Sequence, residues 1–122
     1  MSEVSKRLKL IFPEFEALIE VKKHFSPAIY LSLMLKIPMS TFAYPSRGDL
    51  LIKVDIKRGE MPKVPKLLVG DVYYNATEDA IGISLNEKEI YSRSLIKIGS
   101  VLEGLNLLAN INKVTPVKIV SV

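Results

Sequence analysis

Along the first part of the chain apolar side chains recur at every second position: Leu8, Leu10 and Phe12, then Phe15, Ala17, Ile19 and Val21, with Glu14, Glu16, Glu20 and Lys22 opposite. A period of two belongs to strands with one wet face, and Pro13-Glu14 lies where a tight connection falls, so residues 7–22 are expected to form a β-hairpin. The period then lengthens. Ser26-Pro27 supplies an N-cap followed by a proline at the first helical position, where its missing N–H costs nothing. Ile29, Tyr30, Leu33, Met34 and Ile37 follow at intervals of three and four. Leu31 and Leu35 widen the stripe, which leaves little of a helix over 27–37 to face water. Pro38 ends it by disfavouring the α conformation of Ile37.

Beyond that helix the chain returns to strand-like runs punctuated by turn residues. Residues 39–44 and 50–56 read as strands joined through Pro45-Ser46-Arg47-Gly48-Asp49, with Leu50, Ile52, Val54 and Ile56 pointing inward. Residues 57–69 hold Pro62, Pro65 and four basic side chains, which suits a surface loop or an edge segment. Gly70-Asp71 restarts order. Tyr73-Tyr74, a polar turn at 75–79 and Ala80-Ile81-Gly82-Ile83 make a second hairpin, with Gly82 marking a bulge or a close backbone approach. The stretch 95–111 divides at Glu103-Gly104 into a strand and a short helix over LNLLAN, and the last strand is expected over 115–121. About eight short strands with one or two helices add up to an all-β chain whose sheet closes into a barrel, capped by the helix at 27–37.

Composition narrows the function classes. A chain of 122 residues is read as a single domain, 1–122, large enough to bury its own core. It has no cysteine and one histidine, which removes disulfides, thiolate nucleophiles and multi-histidine metal centres, and no metal site or cofactor is expected. The N-terminal residues lack the pattern of a secretory signal, and apolar runs are broken well short of about 20 residues, so a cytoplasmic protein without membrane spans is expected. The formal net charge is +4, but basic residues are scattered and interspersed with Glu14, Glu16, Glu20, Glu78, Asp79, Glu87 and Glu89. That pattern argues against a nucleic-acid partner.

The order of motifs is more specific than any of them singly. A helix from Ser26-Pro27 to Pro38 is followed by Arg47-Gly48-Asp49, Gly70-Asp71 with Tyr74, Ala80-Ile81-Gly82-Ile83 and Ile98-Gly99. In this the chain resembles the small archaeal and bacterial cyclophilin-like proteins over about residues 8–120. The resemblance implies a closed, eight-stranded cyclophilin-like barrel with helices at its ends. The chain departs from similar sequences at Leu50-Leu51-Ile52, Asn75-Ala76-Thr77 and Asn86-Glu87-Lys88, positions to which a ligand preference would attach.

True cyclophilins isomerise peptidyl-prolyl bonds with an arginine that hydrogen-bonds the prolyl nitrogen beside an apolar pocket. Arg47 near Phe42 and Tyr44 is the local candidate, and with Tyr74 these residues make up the expected ligand-binding cleft. The Phe-His-Arg run of the true enzymes is missing. Lys23-His24-Phe25-Ser26 stands elsewhere, before the helix, so no catalytic residue is assigned. The simpler account makes Arg47 a solvated turn residue and Phe42 and Tyr44 part of the barrel wall. His24 is read as an exposed or partly packed residue at the strand-to-helix junction, and turn chemistry accounts for Glu78-Asp79 and both Gly-Asp aspartates as well as a cation site does.

The expectation is therefore a non-catalytic binding module for a small molecule or an extended peptide. A weak peptidyl-prolyl cis-trans isomerase is the alternative. A second alternative, binding of single-stranded nucleic acid, would use Tyr73, Tyr74 and Tyr91 with Lys57, Arg58, Lys63 and Lys66. The apolar excess, with Met39, Met61 and the prolines of 57–69, also suggests a subunit contact, so a homo-oligomer is among the expected partners.

Overall fold

The computed structural model describes residues 4–58, 66–89 and 95–122. Met61, Pro62, Lys63, Pro65 and Tyr91, which carried several of the expectations above, lie outside the described residues. In chain order the elements are β1 (Ser5–Ile11), β2 (Glu16–Lys22), α1 (Pro27–Lys36), β3 (Met39–Ser46), β4 (Asp49–Lys53) and β5 (Lys66–Leu67). There follow β6 (Asp71–Asn75), β7 (Ala80–Ile83), β8 (Lys88–Glu89), β9 (Leu95–Glu103), α2 (Leu105–Ala109) and β10 (Thr115–Ser121). Eight strands close in the order β1-β10-β3-β4-β7-β6-β9-β2, all pairs antiparallel, while β5 and β8 pair separately. The expected all-β, eight-stranded closed barrel with two helices is what the chain forms.

Alternation sorts the side chains. Leu8, Leu10, Ala17, Ile19, Val21, Leu50, Ile52, Val72, Tyr74, Ile81, Ile83, Ile96 and Ile98 fill the barrel. Their alternates on the neighbouring strands Leu51, Tyr73 and Ala80 form a second, smaller apolar cluster on the outside with Leu67 of β5. A strand that is apolar on both faces, such as β4 with Leu50, Leu51 and Ile52 all buried, is thereby covered on both sides.

The helices take opposite ends. Ser26 Oγ caps α1 by accepting from the Ile29 N–H at 3.4 Å, Pro27 opens it, and Ile37 is extended as its position before Pro38 requires. Ile29, Tyr30 and Leu33 face the core, but Leu31 and Leu35 are 49% and 88% exposed. The expectation that α1 buries nearly all its surface is therefore corrected: the end of the barrel takes one stripe, and the polar place in it goes to Ser32, which accepts from Arg58 Nε at 2.8 Å. At the other end α2 lowers Leu108 into the core.

Two differences from the expected boundaries have local causes. β3 runs on through Pro45 and Ser46, since Pro45 pairs with Leu50 and Ser46 with Asp49, the latter pair closing a two-residue turn, Arg47-Gly48, with both φ values positive (50° and 84°). β4 stops at Lys53 because Asp55 and Lys57 also take positive φ, and Asp79 Oδ1 captures the N–H groups of Ile56 and Lys57, each at 3.0 Å. Tyr74 donates its hydroxyl to the same oxygen at 2.7 Å and accepts from Arg58 N at 3.1 Å.

The two Gly-Asp pairs converge on one place. Because β4 and β6 flank β7 and run antiparallel to it, Asp49 and Asp71 both meet the end of β7. Asp49 Oδ1 accepts from Leu85 N at 3.0 Å, Gly48 O from Asn86 Nδ2 at 2.9 Å, and Asp71 O from Ser84 N at 2.9 Å. The chain leaving β7 is clamped from both sides.

Candidate functional site

Of the expected cleft residues only Phe42 and Tyr44 are brought together. Phe42 and Tyr44 lie side by side on the outer wall of β3, ring centroids 5.9 Å apart, while Ala43 between them faces the core. Tyr74 is fully buried inside the barrel with its hydroxyl on Asp79, on the opposite side of the wall from Tyr44. Arg47 occupies the exposed β3–β4 turn and lines neither groove described below. Tyr73 and Tyr74, proposed above as stacking surfaces, are 4% and 0% exposed.

The hydroxyls of Tyr73 and Tyr74 are tied into the barrel. Tyr73 crosses Gly82, its partner on β7, and donates to Asp49 Oδ2 at 2.7 Å. Burial first, then that hydrogen bond and the carboxylate charge, push its pKa far up. Tyr74 is pushed up to about 12, by burial and by its bond to Asp79. Burial also raises Tyr44, whose hydroxyl has no hydrogen-bond partner among the described residues. Among the described residues no cluster of His, Asp and Glu has the arrangement of a metal site. His24 is exposed and rests against the Phe25 ring, with centroids 4.3 Å apart.

What the structure does present is an opening in the barrel seam at the α2 end. β1 pairs with β10 only from Leu8–Ser121 to Ile11–Lys118. The chain then turns away at Phe12-Pro13, closing a tight loop in which Phe12 N donates to Phe15 O at 2.9 Å and the two rings stack at 4.7 Å. β10 begins earlier than this ladder. Its residues Thr115, Pro116 and Val117 pair with Ala43, Phe42 and Thr41 of β3 and, among the described residues, have no strand on their other side. Pro116 sits in that half-paired stretch, in keeping with the confinement of proline to strand edges.

Two grooves flank this edge. One of ≈ 630 Å³ lies between the Phe12–Phe15 turn and the loop from α2 to β10, where Leu107, Ile111 and Val114 supply apolar walls. The other, ≈ 280 Å³, runs along β10 past Ser40 and Thr41, and the two share Phe12, Pro13 and Pro116. Phe42, 43% exposed and paired with Pro116, borders them. Sequence reasoning missed this site. The available signal was Pro116 inside an otherwise regular strand, which an edge explains and a fully paired barrel strand does not.

No family model matches the chain, and no curated protein matches it. The fold recurs in an archaeal protein. The chain is similar to the solution structure of a hypothetical protein from Archaeoglobus fulgidus, with a TM-score of 0.76 and 16% identity, over 99% of this chain and 98% of that chain. At this identity the likeness shows the fold alone.

Proposed function

We propose that the protein is a non-catalytic binding module whose seam groove takes an extended peptide segment, on a barrel of the cyclophilin-like type. The observation that carries this reading is the half-paired edge of β10 at Thr115–Val117, lying between two contiguous grooves. An extended peptide entering there continues the line that β1 abandons at Ile11 and donates a backbone N–H to the Pro116 carbonyl, while its alternate side chains meet Phe12, Phe15, Ile111 and Val114. The groove volume falls within the usual range for ligand sites, but its length along a strand edge favours a peptide over a compact small molecule.

The test is a titration of the full chain with blocked octapeptides alternating Val, Leu or Phe with Ser, followed by backbone amide NMR shifts. Shifts are expected at residues 112–117 and in the Phe12 and Phe15 rings. Val114→Glu, at a position 66% exposed, should leave the fold intact and weaken binding at least about tenfold through loss of apolar contact and burial of charge. Absence of shifts at millimolar peptide overturns the reading. Shifts with a small apolar probe such as anilinonaphthalene sulfonate, but with no peptide, would assign the groove to small molecules.

A further inference from the structure

The charged side chains at the two ends of the open β10 edge give the groove a preference that its apolar walls do not. Lys113 and Lys118 bracket residues 114–117 and both are exposed, Lys113 lining the larger groove and Lys118 the smaller. Among the described residues neither ammonium group has an ion-pair partner. Lys9 of β1 is engaged by Glu16 of β2, with Nζ 3.6 Å from Oε1. One carboxylate, Glu14 on the Phe12–Phe15 turn, faces the larger groove from the opposite wall.

Resting on the peptide-binding reading above, we infer that the groove selects an extended segment with an apolar centre and an acidic residue at each end. The two lysines stand five positions apart with four residues between them, Lys118 within β10 and Lys113 in the bend that precedes it. The partner's carboxylates should therefore stand at the two ends of its apolar stretch. A uniformly acidic segment does not fit, because a central carboxylate would face the apolar wall and the Glu14 side. Chain direction is set as well. A peptide that continues β1 runs antiparallel to β10, so its N-terminal acid meets Lys118 and its C-terminal acid meets Lys113.

The experiment compares four octapeptides of one apolar composition by calorimetry and amide shifts on the full chain: neutral, acid at both ends, lysine at both ends, and two acids in the centre. At low salt the acid-ended peptide should bind about fivefold to tenfold more tightly than the neutral one, the size of gain two exposed ion pairs provide. Lysine ends should weaken binding. The gain should vanish in about 0.5 M salt, where the screening length falls to a few ångströms, and in the Lys113→Gln, Lys118→Gln double variant. Both lysines are exposed surface residues, so the double variant retains the fold; unchanged amide shifts away from the groove verify this. Equal affinity of the neutral and acid-ended peptides overturns this inference and leaves the peptide-binding reading standing. Equal gain from central acids overturns the placement of the charges at the ends. Binding of none of the four overturns the reading beneath it.

Discussion

Replacing Gly82 by alanine probes the lock between Tyr73 and Asp49. A Cβ at position 82 would lie 2.1 Å from Cζ of Tyr73 and 2.4 Å from Cε2, far inside contact distance. The ring cannot slide aside locally, since Tyr73 is 4% exposed and packed with Leu51, Leu67 and Ala80. Overpacking of this kind costs ~1–3 kcal/mol. Swinging the ring away also takes the hydroxyl from Asp49 Oδ2 and leaves a carboxylate on a residue 5% exposed with one bond fewer, a further ~1–3 kcal/mol. Gly82→Ala should thus destabilise by ~2–6 kcal/mol in urea unfolding at unchanged m-value. Tyr73→Ala alone should cost ~3–5 kcal/mol, as for loss of a buried aromatic. In the Tyr73→Ala background the alanine at 82 has room, and with less chain entropy to lose it should be neutral or stabilising by up to ~1 kcal/mol. The double-mutant cycle must therefore be strongly non-additive, with the pair more stable than the sum of the singles by at least ~2 kcal/mol. Additivity within about 0.5 kcal/mol would refute the claim that this glycine is there for the tyrosine.

Asp79 is drawn in two directions: partial burial raises its pKa, but the bonds from Tyr74, Lys57 and Ile56 and the charge of Lys53 outweigh it, and the net direction is down from 3.8. A carboxylate held low contributes stability above its unfolded pKa and loses it as pH falls through the folded value, so Asp79→Asn should flatten the stability profile below about pH 4 in acid titrations followed by circular dichroism. Tyr74, at about 12 against an ordinary 10.0, has the opposite sense: its contribution is complete below pH 10 and is lost as pH rises toward 12, and Tyr74→Phe should remove that alkaline slope. Arg47, at φ 50° in a two-residue turn, should give ~0.5–1 kcal/mol of added stability when replaced by Asn, which tolerates that conformation better. A prolyl-isomerase assay should remain at the uncatalysed rate with either the wild-type chain or Arg47→Ala; acceleration abolished by that substitution would revive the enzymatic alternative and refute the non-catalytic reading.

Local chemistry made much of the fold legible. Ser26-Pro27 and Pro38 bound α1 because capping and proline sterics act within a few residues, and Leu50, Ile52 and Val54 face inward because the pleat has a strict period. The close approach signalled by Gly82 proved to be a ring from the next strand. Leu31 and Leu35 misled because a helical stripe in sequence says which side chains share a face and not how wide a face the barrel end accepts. The cleft residues misled for a related reason. Phe42, Tyr44 and Tyr74 are all aromatic, but even spacing puts the first two on one face of β3, and the register between strands, set by contacts far apart in sequence, puts the third inside.

The seam groove belongs to that non-local class, and its origin explains why. A closed barrel needs its strands staggered, so neighbouring strands cannot all start and stop level. Here β10 begins at Thr115 beside β3, but β1 has already ended at Ile11 opposite Lys118. The unpaired edge is thus a product of closure itself, left where the Phe12–Phe15 turn is too tight to cover it. An exposed strand edge invites pairing with other chains unless it is blunted, and this one is blunted by Pro116 and bracketed by Lys113 and Lys118. The same residues that guard the edge against indiscriminate pairing define what it admits: a short segment, unable to use a donor at Pro116, with negative charge at its ends. If the edge were only guarded, adding a third lysine at Val114 would have no effect on peptide affinity. If it is a site, Val114→Lys should remove the apolar contact and weaken the acid-ended octapeptide severalfold despite the extra positive charge.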